Sequence, residues 1–158
     1  MKSLTIYFIT SMFFVLSMNA ISLAQNSTGS VENEVISITY KLWKAENEND
    51  MATRNKYISK DYTEFNPEYA TLIDGRDKNF ILTDANDKSG KSLAAEMLNP
   101  KVQVYGDVAI LTYNYAGVIQ DNDGKVKGSK AKSTRVYVKT NGTWMLVHAN
   151  FALDPSQN

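Results

Sequence analysis

Residues 134–150 read TRVYVKTNGTWMLVHAN, the pattern of two long strands joined by a tight turn. Apolar and polar side chains alternate on both sides of Asn141-Gly142, as they do in antiparallel strands that place one face on a core. Asn-Gly is a strong short-range hairpin signal, because both central positions of a type I′ turn need a positive φ. The stretch therefore predicts a long β-hairpin.

Similar runs lie upstream and are joined by the turn signals Gly106-Asp107 and Asp121–Gly124. The four runs are Val102–Tyr105, Val108–Gln120, Lys125–Thr140 and Thr143–Leu153. They predict four antiparallel strands in chain order, and three of them exceed the usual length of about five or six residues. A sheet of such strands is expected to curve and twist, with Gly117 marking a bulge at the bend.

Helical periodicity dominates the residues before the strands. Apolar side chains recur at steps of three and four from Val31 to Trp43, which predicts a helix capped by Ser30 and ending near Glu46. The other predicted elements are a short helix capped by Asp50, an irregular hairpin around Asn66-Pro67-Glu68 and a helix over Asp77–Thr83. The expected fold is one α+β domain, in which N-terminal helices pack on a curved antiparallel sheet and form a cone with a pocket.

Composition and charge exclude several kinds of chemistry. The chain has 158 residues, and 17 Lys plus Arg balance 17 Asp plus Glu, which argues against a nucleic-acid partner. Cysteine is absent and there is 1 histidine, so disulfides, thiolate nucleophiles and a zinc site of several histidines are excluded within one chain. Asp121–Gly124 begins like a calcium loop, but Lys132 stands where the last ligand should be Glu. We expect neither a metal nor a cofactor.

The first residues have the pattern of a secretory signal peptide. A positive Met1-Lys2 start precedes the apolar run Leu4–Leu16, and Ser22-Leu23-Ala24 supplies the small residues of a cleavage site before Gln25. We therefore expect a signal peptide over residues 1–24 and a single domain over residues 25–158. The protein is expected to be exported, either periplasmic or secreted, and to have no membrane contact after cleavage.

Several short strings in the mature chain stand in an order that resembles a known family. They are Phe65-Asn66-Pro67-Glu68, Leu98–Val102, Gly106-Asp107, Thr134-Arg135-Val136, Asn141-Gly142 and Val147-His148. Together they resemble the nuclear-transport-factor-2-like superfamily with its SnoaL-like members, and most of all the association domain of calcium/calmodulin-dependent protein kinase II. The resemblance implies a cone-shaped fold and self-association. It implies neither kinase activity nor calmodulin binding.

The same resemblance implies a pocket that binds small carboxylates through arginines on the long strands. Arg135 matches one of those arginines, whereas Tyr115 and Phe151 stand at two others. The expected ligand-binding residues are therefore Arg135, Tyr115 and Phe151, and Asn79 is a further candidate. With one cation and two aromatic rings, the pocket should accept a small, partly apolar molecule, with a carboxylate as one possibility.

No catalytic residue is singled out by spacing. Enzymes of the superfamily use a carboxylate base in an apolar pocket, where desolvation raises its pKa. The candidate bases are Glu64, Glu68 and Asp74, and the candidate oxyanion donors are Tyr40, Tyr113 and Tyr115. Surface solvation is the simpler interpretation of each carboxylate.

Histidine and the large aromatics are assigned structural roles. Strand alternation places Trp144, Leu146 and His148 on one face and Phe151 on the other, so His148 is expected to be structural or part of an interface. Tyr40, Trp43 and Trp144 are expected in the core.

Three functions remain open from the sequence. The first is an exported, oligomeric domain that binds a small molecule near Arg135. The second is an enzyme of the ketosteroid-isomerase type, which a pocket carboxylate with a raised pKa beside Arg135 and Tyr115 would favour. The third is a purely structural assembly module, which a filled core without a cavity would favour.

Overall fold

A computed structural model describes residues 29–85 and 91–154 of the chain. The expected signal peptide, residues 1–24, lies outside this part. Helix α1 covers residues 29–48, so the prediction that Ser30 caps it is wrong, because Ser30 already lies inside the helix. The elements that follow are α2 (Met51–Tyr57), β1 (Ile58–Phe65), β2 (Ile73–Asp74), α3 (Arg76–Ala85), β3 (Lys91–Tyr105), β4 (Val108–Gln120), β5 (Val126–Thr140) and β6 (Thr143–Leu153). The three predicted helices and the four-stranded meander are confirmed.

The six strands form one sheet in the order β2-β1-β6-β5-β4-β3. Neighbours are antiparallel except β1 and β6, which pair in parallel with Glu64 opposite Ala149. The sheet is therefore mixed, and the expectation of a wholly antiparallel sheet is wrong at this pair. Hairpin signals report pairing only between strands adjacent in sequence, and β1 and β6 lie at opposite ends of the domain.

Helix α1 packs its apolar stripe on one face of the sheet. Val35, Ile38 and Leu42 are buried there, and the Thr39 hydroxyl lies 2.7 Å from the Tyr137 hydroxyl of β5. Sheet side chains in the same core include Tyr62, Leu111, Tyr137, Trp144, Leu146 and Ala149. This layer of α1 on the inner face forms one wall of the pocket described below.

Local signals at the first short helix and at the last hairpin are confirmed. Asp50 caps α2, because its carboxylate accepts a hydrogen bond from the Thr53 amide at 3.1 Å. Asn141 and Gly142 have φ values of 50° and 79°, as a type I′ turn requires. The irregular hairpin around Asn66 is confirmed in part: β1 pairs with β2 only where Thr63 faces Asp74 and Glu64 faces Ile73.

Strand β3 is much longer than the predicted Val102–Tyr105. It has 15 residues, and its register with β4 shifts between Ser92 and Ala94 and between Leu98 and Lys101. Most side chains of its first half are exposed, so they lack the alternation that reveals a half-buried strand. Pro100 is tolerated because β3 is an edge strand of the described sheet.

Gly117 does not mark a bulge. It pairs regularly with Ala95 and Ser129, and the irregular positions of this pair of strands lie in β3. A Cβ atom built on Gly117 would instead collide with the ring of Tyr115, 2.6 Å from Cζ. Glycine is needed here to leave room for that ring.

We expect Gly117→Ala to destabilise the domain by about 1–3 kcal/mol, because the Tyr115 ring must move from its packed position. In a Tyr115→Ala background the same change should cost much less. Chemical denaturation of the four proteins measures this coupling. An equal cost in both backgrounds would contradict the packing role assigned to Gly117.

A bulge does occur in β6. Val136 pairs with His148 but Tyr137 pairs with Leu146, so Val147 is an extra residue. The bulge moves Trp144 and Leu146 to the same inner face as Ala149 and Phe151, and the predicted separation of these side chains is wrong. Strict alternation fails because one inserted residue reverses every later side chain.

Neither a membrane span nor a metal cluster is found among residues 29–85 and 91–154. No helix there is long and apolar enough to cross a bilayer. No group of three or more His, Asp or Glu side chains in that part of the chain could hold a metal ion.

Candidate functional site

A cavity of about 360 Å³ opens between the end of α1 and the inner face of β3–β6. Its lining combines aromatic rings, small residues, hydroxyl groups and two charged side chains. The lining residues are Trp43, Glu46, Asn47, Ser92, Ala95, Tyr113, Tyr115, Ile119, Ser129, Ala131, Ser133, Arg135 and Phe151. A more polar cavity of about 700 Å³ adjoins it and shares Glu46, Asn47, Arg135 and Phe151.

Arg135 is the cation of this pocket. It lies on β5, its side chain is 5% exposed, and it lines both cavities. Its Nε donates a hydrogen bond to the Tyr113 hydroxyl at 2.9 Å, and its guanidinium carbon lies 5.3 Å from the centre of the Phe151 ring. No carboxylate of the described residues pairs with it. Among residues 29–85 and 91–154, this pocket guanidinium therefore has no carboxylate in contact.

Ser133 lies two residues before Arg135 and on the same face of β5. It is 4% exposed, and its hydroxyl has no hydrogen-bond partner in the described structure. A buried polar group without a partner costs about 1–3 kcal/mol, and such groups often mark binding sites. The Ser133 hydroxyl and the Arg135 guanidinium can together contact one small anion.

Sequence reasoning missed Ser133. The signal was its position two residues from Arg135 on an alternating strand, which puts both side chains on one face.

Glu46 was also missed as a site residue. It lies in the last turn of α1 and lines both cavities, where it remains accessible to solvent. Within residues 29–85 and 91–154 its carboxylate makes no hydrogen bond or ion pair, and desolvation by the surrounding protein raises its pKa, against an opposing effect of Arg135. The signal was its spacing: Glu46 follows the buried Leu42 by four residues and so lies on the same side of α1.

We expect Glu46→Gln to raise the midpoint of thermal unfolding at about pH 7. A raised pKa in the folded state means that ionisation above the ordinary value of 4.5 opposes folding, and glutamine removes that cost. The gain should shrink below pH 4.5, where the carboxyl is protonated in both states. Glu48→Gln, an exposed change on the same helix, is the control. An unchanged midpoint for Glu46→Gln would mean that this carboxylate is not desolvated.

Glu64, a candidate base, is buried on the inner face of β1. Ala149 of β6 lies between Glu64 and Arg135, since it pairs with Glu64 of β1 on one side and with Arg135 of β5 on the other. The small alanine side chain therefore separates the two charges. The Glu64 carboxylate accepts hydrogen bonds from the Tyr62 hydroxyl at 2.6 Å, from Asn66 Nδ2 at 2.9 Å and from Asn79 Nδ2 at 3.0 Å. These three donors already satisfy most of its capacity as an acceptor.

Asn79 therefore lies behind Glu64 and is not among the residues that line the described cavities. Of the other candidate bases, Glu68 lines the adjoining cavity, whereas Asp74 is exposed on β2 and lines none of the described cavities.

The aromatic wall of the pocket contains Trp43, Tyr115 and Phe151. The Trp43 ring meets Tyr115 edge to face, with centroids 5.4 Å apart, and Tyr113 at 5.6 Å. Trp43 is thus both a packing residue and part of the pocket lining.

Trp144 is confirmed in the core, but Tyr40 is 42% exposed and the core assignment is wrong for it. Its hydroxyl accepts a hydrogen bond from the Met97 amide at 3.3 Å, which links α1 to β3.

Arg54 lines the adjoining cavity but is already engaged. Its guanidinium lies 3.9 Å from the Phe80 ring centre and donates to Asp84 at 3.0 Å and to Thr83 at 2.9 Å. These contacts tie α2 to α3. Arg135 is therefore the better candidate for binding an anion.

His148 lies outside the pocket lining. Its Nδ1 is 2.8 Å from the Thr63 hydroxyl, and its ring meets Phe65 edge to face at 6.0 Å. These contacts join β6 to β1 on the outer face, which agrees with the structural role expected for it.

Comparison with known proteins identifies the family. The sequence model of the calcium/calmodulin-dependent protein kinase II association domain matches residues 31–152. The rabbit (Oryctolagus cuniculus) calcium/calmodulin-dependent protein kinase type II subunit delta is 30% identical over 128 residues, which are 79% of this chain and 24% of that protein. The Caenorhabditis briggsae kinase type II is 27% identical over 84% of this chain and 25% of its own length. The chain thus spans about a quarter of these relatives.

Solved structures of similar proteins support the same fold. The association domain of the C. elegans kinase superposes with a TM-score of 0.68 at 25% identity and covers 80% of this chain and 98% of that chain. A nuclear-transport-factor-2-like protein from Salmonella enterica gives a TM-score of 0.70 at 17% identity, over 83% of this chain and 96% of that chain, and supports the fold alone. The cone-shaped nuclear-transport-factor-2-like fold is confirmed. The chain belongs to the calcium/calmodulin-dependent protein kinase II association domain family.

Proposed function

We propose that this protein is an exported, self-associating domain that binds a small, partly apolar carboxylate in its cone pocket. The observation that carries the ligand proposal is the pair formed by Arg135 and Ser133. Within the part of the chain that the structure describes, the buried Arg135 guanidinium has no carboxylate in contact, and the buried Ser133 hydroxyl has no hydrogen-bond partner. A guanidinium and a neighbouring hydroxyl match the two oxygens of a carboxylate. The cavity volume of about 360 Å³ suits a small molecule.

Isothermal titration with a set of aliphatic and aromatic monocarboxylates tests this proposal. Binding should also change the fluorescence of Trp43, which lines the cavity, and the change should be lost in Trp43→Phe. Trp144 is the internal reference, because its indole is buried in the core. If no carboxylate of the set binds the folded protein, the ligand proposal is wrong.

Self-association is supported by the family and by the outer face of the sheet. The name of the family describes an association domain, and a further solved relative is described as the kinase hub of S. rosetta. The outer face carries aliphatic side chains that are only half buried and that no described helix covers. They are Val108, Ile110, Val136, Val138 and Met145, and we call them the outer patch. Such a patch becomes fully buried when a second copy of the sheet packs on it.

Methionine oxidation tests which face is covered. Met145 belongs to the outer patch, whereas Met51 is 40% exposed on α2 and does not belong to it. Oxidation of Met145 by peroxide should slow as the protein concentration rises, while oxidation of Met51 should not. Equal rates at all concentrations for Met145 would show that this face stays open.

Acid–base catalysis is a second candidate function, favoured by Glu46. Its carboxylate lines the same cavity as Arg135 and Tyr115, and desolvation raises its pKa toward the range of a general base. Exchange of the proton next to the carbonyl of a bound ligand for solvent deuterium tests this role. Catalysed exchange that is lost in Glu46→Gln would support it, and exchange no faster than in buffer would exclude it.

Export is supported by the pattern of residues 1–24. Mass spectrometry of the secreted or periplasmic material should find a chain that begins near Gln25. A chain retained inside the cell with Met1-Lys2 intact would contradict export.

A further inference from the structure

The pocket carries two opposite charges on two different walls. Arg135 projects from β5 of the sheet, and Glu46 projects from the last turn of α1. The other lining residues of this cavity are aromatic, aliphatic, amide or hydroxyl side chains. A simple monocarboxylate would gain the attraction of Arg135 but would also meet the negative charge of Glu46.

The two charges do not neutralise each other by contact. No ion pair joins Glu46 to Arg135, and the Glu46 carboxylate has no hydrogen bond within the described ranges. Arg135 is held on its own wall by the Tyr113 hydroxyl and the Phe151 ring. A charge kept partly desolvated without a counter-ion is costly, and the raised pKa of Glu46 reflects that cost. A cationic group of a ligand would remove it.

The Glu64 carboxylate is not available to bind a cationic group of a ligand. Its carboxylate already accepts three hydrogen bonds, from Tyr62, Asn66 and Asn79, and only 5% of the residue is exposed. Glu46 is therefore the carboxylate of this pocket that is open to a ligand.

We propose that the ligand is a small zwitterion, an aminocarboxylate with a partly apolar body. Its carboxylate binds the Arg135 guanidinium and the Ser133 hydroxyl, its ammonium group binds Glu46, and its body packs against the touching rings of Trp43 and Tyr115. This inference rests on the proposed carboxylate pocket and adds the second charge of the ligand. The zwitterion leaves neither pocket charge without a partner, whereas a monocarboxylate or a monoamine leaves one.

Matched sets of probes test the second charge by isothermal titration. One set is phenylalanine, phenylpropanoate and phenethylamine, and the other is ε-aminohexanoate, hexanoate and hexylamine. In at least one set the aminocarboxylate should bind roughly tenfold or more tighter than the carboxylate without the amine, which is the gain of one charged hydrogen bond. The amines alone should bind weakly, since they leave Arg135 unpaired.

Glu46→Gln should abolish the preference for the aminocarboxylate and leave the affinity for the plain carboxylate equal or higher. Glu48→Gln removes the same charge from an exposed position of α1 and should keep the preference. A preference that persists in Glu46→Gln, or equal binding of carboxylate and aminocarboxylate by the wild type, overturns this inference. Plain carboxylate binding that depends on Arg135 would then leave the proposed function standing. Absence of binding by every probe would overturn both.

Discussion

Replacing Arg135 with alanine is expected to lower the affinity for carboxylate probes by roughly a hundredfold or more. The reason is that each charged hydrogen bond contributes about 1.5–3 kcal/mol, and a guanidinium can form two with one carboxylate. The described lining of the cavity contains no second cation that could replace Arg135. Isothermal titration with the best carboxylate of the set measures the loss.

Controls must separate binding from folding, because Arg135 is buried and its Nε satisfies the Tyr113 hydroxyl. Arg135→Lys keeps a positive charge and loses the forked geometry, so it should bind with intermediate affinity. Ser133→Ala should fold at least as well as the wild type, because it removes an unpartnered hydroxyl, and should bind the carboxylate several-fold more weakly. Unchanged affinity in a folded Arg135→Ala protein would remove Arg135 from the site.

Replacing Val136 with aspartate is expected to dissociate the assembly. Val136 lies near the middle of the outer patch, between Ile110 of β4 and His148 of β6. A carboxylate buried without a partner in an interface costs about 3–5 kcal/mol, so the dissociation constant should rise by about two orders of magnitude or more. Sedimentation velocity over a dilution series measures the change.

Ile81→Asp is the matched control for this variant. Ile81 is 69% exposed on α3, away from the outer patch, so the same change of charge there should leave the mass unchanged. Circular dichroism should show that both variants remain folded. If Val136→Asp associates as the wild type does, the interface lies elsewhere on the molecule.

The long hairpin and α2 could be predicted because a local signal marks the turn of one and the start of the other, and α1 could be predicted because its apolar residues follow the helical period. Asn141-Gly142 adopts the positive φ values that its turn requires, and Asp50 caps α2. The bulge at Val147 could not be predicted, because no residue there is unusual for a regular strand. The first half of β3 was missed because its side chains are mostly exposed, and exposure removes the alternation.

Only some of the residues that line the cavity could be predicted from the sequence. Arg135, Tyr115 and Phe151 were found through resemblance to the family, and all three line the cavity. Ser133 and Glu46 were missed, since a serine on a strand and a glutamate on a helix are ordinary at the surface. Their importance follows from what surrounds them: the Ser133 hydroxyl lacks a hydrogen-bond partner among the described residues, and desolvation raises the pKa of Glu46. The Asn79 amide donates to Glu64, and a contact between Asn79 and a ligand stays a prediction.

We expect the domain to self-associate through its outer patch. Light scattering coupled to gel filtration, repeated over a wide range of protein concentration, measures the mass of the assembly. We predict a molar mass of at least two chains at the higher concentrations, with Val136→Asp shifted toward the mass of one chain. The mass of a single chain for the folded wild-type protein at every concentration would contradict it.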